Sequence, residues 1–257
     1  MCLAIVALNA HPHYALVVAA NRDEYHARPT TAAQWWTDEG YTSILAGRDL
    51  EAGGTWLGVT REGRWAFVTN VREGGHRDPA APSRGSLVPR VLRDNRDPQT
   101  ALRSAIADAA HYNGFNLMAG DVATACWGSN RGEIGCLIAN GIHGLSNARL
   151  DTPWPKLART KAGVAAWAVE GNDDIEPLFV LLSDRARARD DELPDTGVSI
   201  EWERVLSAPF IMGERYGTRC STVLYISREG EARFVEQSFD ARGEPAGRVD
   251  TTFTLAA

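Results

Sequence analysis

Two continuous apolar runs, Leu3 to Leu8 and Ala15 to Ala20, constrain the fold more than any other feature of this chain. Neither alternates apolar with polar residues, so as strands they must be covered on both faces, in a sheet held between other layers. The stretch between them, Asn9-Ala10-His11-Pro12-His13-Tyr14, carries the Asn and Pro of a hairpin connection. Thr55 to Thr60 and Trp65 to Thr69, joined by Arg61-Glu62-Gly63-Arg64, read as a second hairpin.

Helical signals follow in the middle of the chain. Asp97 and Pro98 have the grammar of an N-cap and first-turn proline, and Leu102, Ala105, Ile106 and Ala109 recur at helical spacing, which predicts a helix over 98–110. Thr152-Pro153 opens a second, over 154–168 with Leu157, Val164 and Trp167 on its apolar side, and a third covers Glu176 to Arg187. Further strands are expected at Asn116 to Ala119, Ile134 to Ala139, Ser221 to Ser227, Arg233 to Gln237 and Thr251 to Leu255. Strands, then helices, then strands again do not make the repeating order of a doubly wound fold. They suit an α+β protein in which two antiparallel sheets lie between helices, a four-layer αββα sandwich, expected as one domain over residues 1–257.

Charge and cysteine usage narrow the function classes. With 27 Lys and Arg against 33 Asp and Glu, scattered rather than blocked, the net charge of −6 offers no footprint for nucleic acid or anionic lipid. The acidic run Asp190-Asp191-Glu192 reads as a solvated loop. No apolar stretch approaches the ~20 residues that span a bilayer, and the start of the chain lacks the basic region of a signal peptide. Cys2, Cys126, Cys136 and Cys220 show neither a disulfide framework nor metal-ligand spacing, so no metal is expected and a cytoplasmic location fits. Cys126 and Cys136 read as core thiols.

Cys2 admits two readings. Removal of Met1 would leave a thiol and a free α-amine on one residue, a nucleophile with its own base, the amine titrating at about 7.7–8.0. Alternatively Cys2 is a buried thiol that opens a strand. Asn21-Arg22-Asp23-Glu24 follows the second apolar run and reads as a polar cluster at a strand end, either a ligand-facing mouth or a salt-bridged turn. His11 and His13 share strand parity and could chelate, but Pro12 between them fits an ordinary turn. The eight tryptophans, Trp35, Trp36, Trp56 and Trp154 among them, either line an apolar pocket or pack the core.

Together, Met1-Cys2, Asn21-Arg22-Asp23-Glu24, Gly53-Gly54-Thr55-Trp56-Leu57-Gly58, Thr69-Asn70, Gly144-Leu145-Ser146-Asn147 with Asp151-Thr152-Pro153-Trp154-Pro155-Lys156, and Tyr216-Gly217-Thr218-Arg219 resemble the NRDE family, also called the transport and Golgi organisation protein 2 family. The resemblance runs in order from residue 1 to about residue 227. That family is similar to the N-terminal-nucleophile hydrolases that include penicillin V acylase, bile salt hydrolase and acid ceramidase. The resemblance implies an exposed Cys2 acting on an amide other than a peptide bond, Asn70 and Asn147 in oxyanion positions, and Arg219 near the nucleophile. In the hydrolases an arginine is followed three residues later by an aspartate; here Asn21 and Glu24 have that spacing and Arg22 is displaced by one, so both Arg22 and Glu24 stand as candidates for that role. The expected site is thus Cys2, Arg22, Asn70, Asn147 and Arg219, with Asn21, Asp23, Glu24 and Trp56 binding a small-molecule or lipid-like substrate without a cofactor. The alternative is a binding or trafficking protein, with haem as a transported ligand gripped through Arg22 and Arg219.

Overall fold

The computed structural model describes residues 2–38, 40–74 and 78–256. Thirteen strands among them run β1 (Cys2–Leu8), β2 (Tyr14–Tyr25), β3 (Thr30–Trp35), β4 (Ile44–Asp49), β5 (Leu57–Thr60), β6 (Trp65–Asn70), β7 (Phe115–Gly120), β8 (Ala125–Ser129), β9 (Cys136–Leu137), β10 (Gly141–Leu145), β11 (Tyr216–Ser227), β12 (Glu231–Phe239) and β13 (Pro245–Thr254). The α-helices are α1 (Leu87–Leu92), α2 (Pro98–Ala107), α3 (Pro155–Glu170), α4 (Glu176–Leu182) and α5 (Ile200–Leu206). One antiparallel sheet has the order β10-β1-β2-β11-β12-β13, and a second has β3-β4-β5-β6-β7-β8-β9. The expected α+β, four-layer αββα architecture is therefore observed.

The continuous apolar runs are covered on both faces, as their pattern requires. On β1 and β2 the even residues Ala4, Val6, Leu16 and Val18 pack between the sheets against Leu57, Trp65, Phe67 and Met118. The odd residues Leu3, Ile5, Val17 and Ala19 pack outward against Leu157, Val164, Trp167 and Leu178 of α3 and α4. The outer face of the second sheet is closed by Val88 and Val91 of α1 and by Leu102 and Ile106 of α2. Where α3 crosses β10, a Cβ on Gly144 would lie 2.6 Å from Leu157, so a glycine there lets the helix settle onto the sheet.

Several boundaries moved. The polar tetrad does not follow β2 but lies inside it, paired along its length with β11 and, at Asn21 and Arg22, with β1. The third helix stops at Leu182 rather than Arg187, with Ser183 as its C-cap. Helix α3 begins at Pro155, one residue after the expected start and three after the Thr152 cap. The strand at Ile134 to Ala139 shrinks to Cys136–Leu137, both exposed at the sheet edge, which corrects the reading of Cys136 as a core thiol; Cys126 is buried, and burial pushes its thiol up to about 12. Asp190-Asp191-Glu192 forms an exposed 3-10 turn, Asp190 paired with Arg204. No helix of the described residues is long and apolar enough to cross a membrane.

Helix α5 is tied down by a buried ion pair between Arg72, just beyond β6, and Glu203, whose side chains are 2% and 3% exposed. Arg72 also stacks 4.6 Å over Trp154. A buried carboxylate left without its cation is strongly unfavourable. Arg72→Met is expected to lower stability by about 3–5 kcal/mol in denaturant unfolding, with part of the loss recovered in the double variant Arg72→Met/Glu203→Gln. A loss no larger than that of an exposed pair would contradict this role.

Candidate active site

The registers around β2 set the geometry. Arg22 is the partner of Cys2 on β1 and of Cys220 on β11, so the three residues form one row across the sheet. Cys2 has the strand parity of Ala4 and Val6; Met1 and the side chain of Cys2 lie outside the described residues, and with them the expected removal of Met1. Strand alternation divides the tetrad. Asn21 and Asp23 fall on the helix side, Arg22 and Glu24 on the side between the sheets.

The helix-side pair helps to hold the strand. Asn21 donates to the carbonyls of Leu182 and Pro209 at 2.8 and 2.9 Å and accepts from the Ser221 hydroxyl at 2.6 Å. Asp23 accepts from the Thr218 hydroxyl at 2.7 Å, and burial pushes its carboxyl up against the opposing charges of Lys156 and Arg22. These bonds explain the Tyr216-Gly217-Thr218-Arg219 motif: the Tyr216 hydroxyl donates to the Asp23 carbonyl at 3.0 Å, and a Cβ on Gly217 would meet the Ile211 carbonyl at 2.8 Å. Arg219 is the extra residue of a bulge between Thr218 and Cys220. Its guanidinium donates to the carbonyls of Tyr25, His26 and Arg28, fixing the turn after β2, and does not line the cleft described next.

Arg22 is 6% exposed and lies with its guanidinium 4.3 Å over the ring of Trp56. Its Nη2 is 3.9 Å from Asp49, and its Nη1 has no hydrogen-bond partner among the described residues. Asp49 is held in place by Arg28 at 2.6 Å and by the amides of Glu51 and Ala52. The Gly53-Gly54-Thr55-Trp56 motif is the turn that delivers Trp56: Gly53 has φ of 75°, a Cβ on Gly54 would strike the Gly85 backbone at 2.4 Å, and Thr55 N–H donates to the Gly85 carbonyl. Arg22, Glu24, Asp49, Trp56, Asn70 and Arg84 line a cleft of about 290 Å³. A second cleft of similar size abuts it through Glu24, Asn70, Arg84 and Asn113, and is walled by Tyr25, Trp202 and Tyr216.

The expected residues therefore meet in part. Arg22, Glu24, Trp56 and Asn70 share one cleft, next to the backbone of Cys2. Asn147 is one layer behind it, 1% exposed, donating its side-chain amide to the Asn70 carbonyl at 2.8 Å and lining a neighbouring cavity with Arg72 and Trp154. Sequence reasoning missed Asp49, Arg84 and Glu236, isolated charges with no motif around them.

Glu236 of β12 is the register partner of Thr222 and lies diagonal to Cys220, beside the row. Its carboxylate accepts from Ala33 N–H at 2.8 Å and faces the Cys220 thiol, and burial pushes both groups up from their ordinary values. A raised carboxyl makes the folded state hold a proton that the unfolded chain releases, so this contribution to stability falls as pH rises from about 4.3. Compared across that range, the native chain should lose stability toward neutral pH relative to Glu236→Gln. Parallel stability–pH curves would contradict the assignment.

Comparison with known proteins places this geometry. The family model for Transport and Golgi organisation 2 matches residues 1–241. The Transport and Golgi organization protein 2 homolog of Homo sapiens is 33% identical over 260 residues, covering 93% of each chain; the Drosophila melanogaster protein is 25% identical, covering 95% of each. Among solved structures, the N-acylethanolamine-hydrolyzing acid amidase ortholog of Caenorhabditis elegans superposes with a TM-score of 0.51 at 11% identity, covering 87% of this chain and 92% of that one. Penicillin V acylase of Agrobacterium tumefaciens gives 0.50 at 13% identity over 93% and 83%. At such identities the likeness is one of fold. The chain thus has the fold of the N-terminal-nucleophile hydrolases and belongs to the transport and Golgi organisation 2 family.

Proposed function

We propose that the protein is a cysteine amidohydrolase that cleaves a carbon–nitrogen bond other than a peptide bond. The observation that carries this reading is the pairing of Cys2 with Arg22 in the β1–β2 ladder, where Arg22 brings a buried guanidinium nitrogen, without a hydrogen-bond partner among the described residues, to a cleft that Asn70 also lines. The structural neighbours whose names describe an amidase and an acylase support it by analogy of fold.

In this scheme the free α-amine of Cys2 takes the thiol proton, and sulfur adds to the amide carbonyl carbon. Asn70 stabilises the oxyanion, a donor contributing about 3 kcal/mol, and Asn147 holds Asn70 in place by donating to its carbonyl. The ammonium then protonates the departing nitrogen as the carbon–nitrogen bond breaks, and water releases the acid from the thioester. The charge of Arg22 favours the thiolate. Glu24 and Trp56 contact the substrate, while Asn21, Asp23 and Arg219 hold the strand and turn that carry the site.

The same unpartnered nitrogen suits a ligand carboxylate, which favours as a second reading a binding protein for a lipid-like acid or haem. A hydrolysis screen of N-acyl amides separates the two. The hydrolase reading predicts turnover that falls on the order of a thousandfold or more in Cys2→Ala and about 10²–10³-fold in Asn70→Ala. Absence of turnover, with carboxylate ligands bound equally by native protein and Cys2→Ala, would overturn it in favour of binding.

A further inference from the structure

At the opposite end of β2 from Arg22, His11, His13 and Asp173 each offer one ligand atom, and these atoms lie within 4.8 Å of one another. Arg22 lies eight residue steps along the strand from Tyr14, about 26 Å, so this cluster is remote from the cleft. We propose that it is a binding site for a divalent transition cation of the zinc type, which clasps the β1–β2 turn to the loop between α3 and α4.

Two imidazoles and a carboxylate form a donor set suited to such a cation, with a fourth position left for water. The groups differ in mobility. His11 is 2% exposed and clamped between the rings of Tyr14 and Trp167, with centroids 4.6 and 4.7 Å away. His13 and Asp173 are 56% and 62% exposed and joined to each other at 2.7 Å. Tetrahedral zinc places its ligand atoms about 3.4 Å apart. The two exposed side chains can close onto the fixed His11 to reach that spacing, the cation replacing the proton shared between them.

The surroundings supply what ligands need in a built site. His11 Nε2 is 3.3 Å from the Asn172 carbonyl; donating there leaves Nδ1 as the ring acceptor, and a cation at Nδ1 takes over the lone pair to which the His13 N–H donates at 3.2 Å, breaking that bond. An outer contact such as that to Asn172 orients a metal ligand. Arg228 directs its guanidinium at Asn9 Oδ1 and the carbonyls of His11 and Pro12, bracing the turn from its far side. Gly171 closes α3 with φ of 65°, and a Cβ there would meet Pro12 at 3.0 Å, so the loop lies directly against the His11-Pro12-His13 turn.

The test is titration of chelator-treated, tag-free, full-length protein with Zn²⁺ by calorimetry and with Co²⁺ by absorbance. One equivalent should bind saturably, raise the thermal midpoint and give the d–d bands of tetrahedral Co²⁺. His13→Ala and Asp173→Ala alter exposed side chains and keep the fold; each should weaken binding on the order of tenfold or more. Failure to bind one equivalent, or binding unchanged in both variants, would overturn the proposal.

Discussion

A guanidinium buried between two apolar sheets is costly unless its surroundings answer it, and the cleft end of this molecule is organised around that requirement. Arg22 rests on Trp56, approaches Asp49, stands opposite Cys220 and lowers the cost of the buried Glu236 carboxylate by its charge. Each partner needs its own support. A Cβ on Gly47 would come within 2.4 Å of the Trp56 ring, and Asp49 depends on Arg28 and on two amides of the Gly53 turn. Motifs far apart in the chain are thus explained by one demand: to hold a charge at the mouth of a dry layer while leaving one of its nitrogens available.

The strand that carries Arg22 meets the opposite demand on its other face. Asn21 and Asp23 would be unsatisfied under α4 and the Pro209 segment without the hydroxyls of Ser221 and Thr218 and the carbonyls of Leu182 and Pro209. The bulge at Arg219 follows from this arrangement. It absorbs one residue of β11, so that Thr218 reaches Asp23 while Cys220 stays opposite Arg22, and it sends the Arg219 side chain to the carbonyls of the following turn.

How legible this was in the sequence depended on whether the signal was local. The both-faces-covered strands, the Asp97 cap, which accepts from Thr100 N–H at 2.9 Å, and the Arg61-Glu62-Gly63-Arg64 hairpin were readable because their patterns are complete within a few residues. β2 was cut short at Ala20 because four consecutive polar residues resemble a loop, and only partners some 160 to 200 residues away show that they are strand. Helix α1 was missed because Pro89 interrupts its pattern, and β3, β4, β8 and β10 because their residues take their periodicity from the facing sheet. In the site, motifs pointed to Arg22, Trp56 and Asn70. The structural duties of Asn21 and Arg219, and the presence of Asp49 and Glu236, depend on layers that no short motif encodes.

The account rests most heavily on Cys2 as the reactive thiol, and burial pushes the Cys126 and Cys220 thiols up out of the reactive range. Exposed Cys136 is the competitor that matters. The most direct measurement is therefore intact-mass analysis followed by peptide mapping of protein treated with an electrophilic amide or lactone probe, in the native chain and in Cys136→Ser. The account predicts a mass lacking Met1, single labelling at Cys2, and an unchanged labelling rate in Cys136→Ser. Full retention of Met1, or labelling of Cys136 in preference to Cys2, would contradict it.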